Sequence, residues 1–458
     1  MSEYKIQILS TLRCYLSLII VLVHTNFFTG GIIFSSNSFI LNHIKRIPIL
    51  GFISNNPFPV DIFWIISGFL CQLKLLSIDL NENSYRKYVK IGLMIFINRL
   101  IRLYPLYFLQ VVYNYYSNEL CTPIRLFNGL TFFLFSSKYN CPCVSVGWTS
   151  AIDAHGYVII ILLYLVLFKK KRVLEWCYFI LYAYSVYSLI TTTKGLFEEY
   201  KENDIVEELI NGTRLWNGND VLSPRVIEHY SGDNADIMNL AIPVKQDLLQ
   251  ARQFLRLFKE RVYYTGILHH GAVMFLGALL ALNWNHYLHH KSNTSMIWIR
   301  AVLGICILYI TGGVMHFAGL PYYWILRAFL QLDYDVKHHP SYVQIILYKI
   351  FTLNRPALWN IIGKYTYGIY LTHMELLRYS NILYFSTSSI ANLEQYYIPF
   401  FVVKGIVTWI CSLVFSMALY HSIELPFVRF RRKYFGVTSG NVIERNRGVI
   451  NDEKDKLS

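Results

Sequence analysis

The sequence predicts an all-α protein that crosses a membrane with about ten helices. Hydrophobic residues make up 54% of the 458 residues and charged residues only 15%, far fewer charges than a soluble protein usually carries. Apolar stretches long enough to span a bilayer recur along the chain, with short basic clusters beside them. The net charge of +14 is therefore attributed to membrane topology, and membrane lipids rather than nucleic acid are the expected partners.

The apolar stretches give the positions of the spans. One further crossing is expected within Leu320–Leu353, where several polar residues interrupt an aromatic stretch, so its ends are left open. The other expected spans are Ile6–Phe28, Phe58–Ile78, Ile91–Tyr113, Trp148–Phe168, Val173–Thr193, Val262–Trp284, Ile297–Phe317, Pro356–Leu377 and Ile398–Tyr420.

The basic clusters set the expected orientation. Arg86, Lys87 and Lys90, the run Lys169–Arg172, and the basic residues of Arg429–Lys433 fall on one side of a bundle of about ten helices. That side is expected to be the cytoplasm, which places both termini there. The hydrophilic region Lys194–Arg261, with a glycosylation sequon at Asn211, is then an extracytoplasmic loop within a membrane domain of residues 6–427. Residues 428–458 form a basic cytoplasmic tail.

The first span contains two residues, Arg13 and His24, whose side chains are energetically unfavourable inside a membrane. Arg13 and His24 are eleven positions apart, close to three helical turns, so they share a helix face and lie roughly 16 Å apart along the axis. Polar residues at such depth are usually functional. The alternative is that Arg13 reaches back to the membrane surface while His24 merely hydrogen-bonds a neighbouring helix.

The second span begins near Asp61, which is expected at the same level as His24 on the antiparallel first helix. A carboxylate there would orient the imidazole, as in a base–orienter pair. Asp61 would equally well favour the helix dipole in a first turn. The sequence leaves both roles open.

The third span carries Arg99 and Arg102, which share a face because they are three positions apart. Both are expected in the inner half of the membrane, on the side of Arg13. Three guanidinium groups facing inward would form an anion site open to the cytoplasm. The alternative is that both side chains extend to the lipid headgroups.

Other polar residues are candidates for substrate contacts. Asp153 and His155 open the fourth span at the expected outer face, and either of them could serve the acceptor site. His373 lies toward the outer end of the ninth span. The histidine pairs near residues 269 and 289 match no standard zinc spacing, so no metal is predicted.

Five short motifs occur along the chain in one order. They are Arg13 with His24; VDIFWIISGF at Val60–Phe69, which contains Ser67; Arg99, Arg102 and Pro105; GKYTYGIYLTH at Gly363–His373; and IELPF at Ile423–Phe427, which contains Glu424. Together they resemble the acyltransferase 3 family of bacterial O-antigen acetylases and animal nose-resistant-to-fluoxetine proteins, with Trp64 where the family has Phe. The resemblance is poor over Lys194–Arg261 and Leu320–Leu353.

The resemblance implies transfer of an acyl group, commonly acetyl, from cytoplasmic acyl-CoA to a hydroxyl of an extracytoplasmic or membrane-embedded carbohydrate or lipid. Arg13, Arg99 and Arg102 would bind the CoA phosphates. His24 would act as general base or position the acyl group, and Asp61 would orient His24 or the acceptor. Further candidates for substrate contacts are Ser67, Asp153, His373 and Glu424.

Two other functions stay open. Polar residues inside spans also line transport paths, so a non-enzymatic lipid or drug transporter is the main alternative. A degenerate family member with a scaffolding role is the third, although the presence of both Arg13 and His24 argues against it.

Overall fold

The computed structural model describes residues 7–33, 58–77, 85–117, 147–200, 272–289, 294–310, 320–338, 340–385 and 397–435, together with the single positions 123 and 127. Helices and turns account for these ranges, and no strand occurs in them, which confirms the all-α prediction. The helices are α1 Gln7–Ile33, α2 Phe58–Leu76, α3 Tyr85–Ser117, α4 Gly147–Leu167, α5 Lys171–Tyr200, α6 Ala272–His289, α7 Thr294–Ile310, α8 Leu320–His338, α9 Tyr342–Phe351, α10 Pro356–Ile362, α11 Thr366–Phe385, α12 Tyr397–Leu419 and α13 Leu425–Phe435.

Helix length and composition mark the chain as a membrane protein. Within the described ranges, four helical segments are long and apolar enough to cross a bilayer: Gln7–Thr25, Tyr88–Tyr116, Thr149–Leu167 and Val402–Phe430. Val273–Trp284 and Met296–Cys306 are shorter apolar segments. The expected total of about ten spans, and the cytoplasmic termini, stay predictions.

The expected single span Pro356–Leu377 is wrong, because the chain forms two helices there, α10 and α11. Between them the amides of Lys364 and Tyr365 bond to carbonyls three residues back, and Thr366 Oγ1 donates to the Gly363 carbonyl at 3.1 Å. A Cβ on Gly363 would meet Ser10 of α1 at 3.1 Å, so the turn places the backbone tightly against α1. Glycine supplies both the poor helix propensity and the close approach.

The stretch Leu320–Leu353 also forms two helices, α8 and α9. Asp333 is tolerated inside α8 because its carboxylate, wholly buried, pairs with Lys337 one turn later at 2.7 Å. With 10 residues, α9 is too short to span a bilayer.

Two glycines bring α2 and α6 into backbone contact. A Cβ added to Gly68 would lie 2.0 Å from the Met274 carbonyl oxygen, and one on Gly277 would lie 2.0 Å from that of Ile65. Small residues at a crossing let helix backbones approach, which is how helices associate in lipid without a hydrophobic driving force. This crossing fixes α2, including Ser67, relative to the rest of the core.

Helix α1 lies among α2, α10, α11 and α12. One cross-helix hydrogen bond runs from Trp409 Nε1 on α12 to Ser17 Oγ on α1, at 3.0 Å. The helix with Arg13 and His24 is thus surrounded by other helices, so its polar face can meet residues from several parts of the chain.

Some predicted features lie outside the described residues. These are residues 201–261 of the Lys194–Arg261 loop, including Asn211, and residues 436–458 of the tail. Residues 194–200 form the end of α5, and 425–435 form α13.

Candidate functional site

His24 meets a second histidine across the α1–α11 interface. Its Nδ1 lies 2.6 Å from Nε2 of His373, a residue with no solvent exposure. The ring planes differ by only 11° while the centroids are 4.9 Å apart, so the rings meet edge to edge in nearly one plane. This arrangement suits an N–H···N hydrogen bond.

The surrounding bonds fix the direction of that hydrogen bond. His373 Nδ1 lies 3.2 Å from the Ile369 carbonyl oxygen, which can only accept, so Nδ1 carries the hydrogen. In a neutral imidazole Nε2 of His373 is then an acceptor, and His24 must donate from Nδ1. His24 Nε2 is left with a free lone pair, and no described residue hydrogen-bonds to it.

The expected pairing of Asp61 with His24 is wrong, since the hydrogen-bond partner of His24 is His373. Asp61 lies in the first turn of α2, as the dipole alternative requires, and is 5% exposed. Its Oδ2 finds no hydrogen-bond partner within the described ranges. The imidazole of His24 faces α11, and the order of helices around α1 is not readable from the sequence.

Arg99 connects three helices through its hydrogen bonds. Its Nε donates to Asp153 Oδ2 at 2.7 Å, and its Nη2 donates to Ser67 Oγ at 3.1 Å. Ser67 in turn donates to Asp153 Oδ1, and the guanidinium lies 5.0 Å from the ring centroid of Tyr157. Helices α2, α3 and α4 are thus joined by one closed set of charge-assisted hydrogen bonds.

The expected separation of Arg99 and Asp153 to opposite halves of the membrane is therefore wrong. Helix α3 has 33 residues, so Arg99 lies near its middle rather than close to its basic start. There it reaches Asp153 on α4. The carboxylate expected to serve an acceptor is engaged with Arg99 instead.

Arg102 is paired more loosely. Its Nε lies 3.7 Å from Oε1 of Glu424, and its side chain keeps 40% exposure. Glu424 ends a π-helical turn, Tyr420–Glu424, that directly precedes α13. Pro426 cannot donate a backbone hydrogen bond, and a widened turn of this kind is frequent at functional sites.

The structure brings the three arginines together, while their use as an anion site stays a prediction. Arg13 is close enough to Arg99 and Arg102 to be repelled by both, and it is attracted by Asp153. Arg13 itself has no ion pair or hydrogen bond to a described residue. Three cations therefore face two carboxylates, Asp153 and Glu424, and the surplus positive charge resides on Arg13. Such a site favours an anion.

Two tyrosines that the sequence reasoning did not single out join α11 to α4. The Tyr370 hydroxyl accepts from Thr149 Oγ1 at 3.0 Å, and the Tyr367 hydroxyl lies 3.2 Å from Ser150 Oγ. Their three-residue spacing is visible in the sequence and places both tyrosines on one face of the helix that also carries His373. These bonds hold His373 and the Arg99 cluster in a fixed relation.

Metal binding finds no support in the described part of the chain, where no group of three or more His, Cys, Asp or Glu side chains is placed to hold an ion. The histidines near residue 269 lie outside that part. The absence of a metal stays a prediction.

The described fold and site are those of a helical membrane protein in which α1 carries one member of a histidine pair and one member of an arginine cluster. The family model for the acyltransferase domain matches residues 6–419, nearly the whole chain. The chain belongs to the acyltransferase 3 family, as the five motifs indicated. No curated protein and no solved structure matches the chain.

Proposed function

We propose that the protein transfers an acyl group, acetyl being expected, from acyl-CoA to a hydroxyl of a carbohydrate or lipid acceptor. The observation that carries the proposal is the bond between His24 and His373, which leaves the His24 Nε2 lone pair free on the helix that also bears Arg13. One helix thus presents a base and an uncompensated cation.

The donor would bind by its charges. CoA carries phosphates, and Arg13 is the cation with surplus charge, with the half-exposed Arg102 beside it. Arg99, engaged by Asp153 and Ser67, would hold the site together rather than bind phosphate directly. Because Arg13 and His24 lie roughly 16 Å apart along α1, a long donor with phosphates at one end and a thioester at the other suits this spacing.

The reaction would use His24 twice. Nε2 of His24 takes the proton of the acceptor hydroxyl as its oxygen attacks the thioester carbonyl carbon. The tetrahedral intermediate collapses with cleavage of the carbon–sulfur bond. The CoA thiolate leaves and takes up the proton that His24 Nε2 received from the acceptor hydroxyl. The new ester bond is formed, and His24 returns to its neutral state.

The basic clusters predict the side of the membrane from which each substrate reaches the site. With both termini cytoplasmic, Arg13 lies toward the cytoplasmic donor and His24 lies deeper, toward an extracytoplasmic or membrane-bound acceptor. Asp61, buried at the start of α2, is a candidate for contact with that acceptor.

The test is acyl-CoA hydrolysis and acyl transfer by purified protein in detergent. His24→Asn keeps the size and a hydrogen-bonding group but removes the basic nitrogen, so turnover should fall about 10²–10⁴-fold. His338→Asn is the matched control, because His338 is exposed at the last residue of α8, where its Nδ1 hydrogen-bonds the Tyr334 carbonyl oxygen of the same helix. Near-normal turnover in a folded His24→Asn protein would refute the proposed base. Absence of transfer by the wild-type protein with any acyl-CoA would favour the transporter alternative.

A further inference from the structure

The two short helices between α8 and α11 differ from the rest of the bundle. Helix α9 has 10 residues and α10 has 7, and neither contains a buried residue. We call residues Tyr342–Ile362 the α9–α10 segment. A capping box at Ser341 and Gln344 defines where α9 begins, and Pro356 at the first position begins α10, so both helices have their own start signals.

The segment is attached to the first half of α1. Tyr348 OH hydrogen-bonds Gln7 Oε1 at 3.2 Å, and Tyr15 OH donates to the Phe351 carbonyl oxygen at 2.9 Å. The Tyr15 ring also lies 5.2 Å from that of Trp359. Gln7 to Tyr15 covers about 12 Å along α1, so the segment lies at the depth where the first candidate span begins.

The outward side of the segment is apolar. Val343 and Ile350 are each 64% exposed and Leu353 is 60% exposed, and Leu358 and Ile361 continue this face onto α10. An amphipathic helix too short to span places such a face in the boundary between headgroups and acyl chains.

The charged residues of the segment itself are all basic, and the nearest carboxylate in sequence, Asp335 on α8, accepts a hydrogen bond from Gln344. Residues 340–365 contain no Asp or Glu, and their cations are Lys349, Arg355 and Lys364. All three are exposed, and none makes an ion pair or side-chain hydrogen bond to a described residue. Free cations beside an exposed apolar face complement anionic phospholipid, which offers a phosphate and acyl chains together.

We propose that the α9–α10 segment docks on anionic phospholipid headgroups at the membrane surface where α1 begins, and thereby holds the half of α1 that carries Arg13. Lys349 and Arg355 contact the lipid phosphates, and the apolar face enters the acyl region. The inference does not depend on acyl transfer, since it concerns lipid binding alone.

The test titrates phosphatidylglycerol into the full-length protein in neutral detergent and follows the melting temperature. Each surface cation contributes about a fivefold gain in affinity for an anionic lipid surface. Lys349→Gln/Arg355→Gln should therefore raise the titration midpoint about five- to thirtyfold. Lys170→Gln/Arg172→Gln, which removes one exposed lysine and one exposed arginine from another basic cluster, should raise the midpoint by less.

Several outcomes would overturn the proposal. They are an unchanged midpoint in Lys349→Gln/Arg355→Gln, an equal shift in the control, or an equal stabilisation by glycerol 3-phosphate, which would indicate a site for soluble anions. Light scattering that showed a dimer dissociated by Ile350→Arg would assign the face to a second copy of the chain.

The link to α1 has its own test. Tyr15→Phe removes the hydrogen bond to Phe351 while keeping the ring. Phosphatidylglycerol should then bind with the wild-type midpoint but should slow hydrogen exchange of the α1 amides around Tyr15 less than it does in the wild-type protein. An equal slowing in both proteins would contradict the role of the segment in holding α1.

Discussion

His373 should control the activity of His24 without touching the substrate. Replacing His373 by Phe removes the only acceptor that the described residues provide for the His24 Nδ1 hydrogen. A buried donor left unpaired costs about 1–3 kcal/mol. In addition, the hydrogen is then free to move to Nε2 and block the lone pair. If the unpaired donor raises the free energy of the transition state by that amount, kcat should fall roughly 5–150-fold.

A substitution series separates positioning from packing. His373→Gln can place an amide oxygen near the position of Nε2, so it should recover part of the activity that His373→Phe loses. His373→Asn is too short to reach His24 and should resemble Phe. The acyl-CoA KM should change little in all three, because Arg13 and Arg102 are untouched.

The assay is steady-state transfer with purified protein, with the melting temperature of each variant as the control for folding. A folded His373→Phe protein with a kcat within twofold of wild type would refute the tautomer argument. Equal activity of the Gln and Phe variants, both well below wild type, would assign His373 to packing alone.

Three other substitutions test the arginine cluster and the α2–α6 crossing. Arg13→Gln should raise the acyl-CoA KM about 10–150-fold with little change in melting temperature, since it removes a charge-assisted contact worth about 1.5–3 kcal/mol; an unchanged KM would contradict its assigned role. Arg99→Gln should instead destabilise the fold by about 3–5 kcal/mol in denaturation, because Asp153 is left buried and unpaired, and Asp153→Asn should restore part of the loss. Gly68→Ala should cost about 1–3 kcal/mol, because its Cβ would lie 2.0 Å from a backbone oxygen. The control is Gly92→Ala, which meets only side-chain methyl groups and should cost less; equal melting temperatures would refute the crossing argument.

The sequence by itself determined the features that depend on one helix. The composition indicated a membrane protein, because a surface with few charges and long apolar stretches is stable in contact with lipid and not with water. Helical periodicity placed Arg13 with His24, and Arg99 with Arg102, on shared faces. The motif order indicated the family, and the match over residues 6–419 confirms it.

Only the tertiary structure decided which helices meet. His24 pairs with His373 rather than Asp61, and Asp153 engages Arg99 rather than standing apart at the outer face. The close approach of the Gly363 backbone to Ser10, far away in sequence, is likewise visible only in the folded chain. The physical reason is that helices in lipid are apolar all round, so no amphipathic stripe in the sequence marks the neighbour that each face will meet. Which helices become neighbours is determined by close packing of small residues and by hydrogen bonds between side chains far apart in sequence. These contacts exist only in the folded bundle.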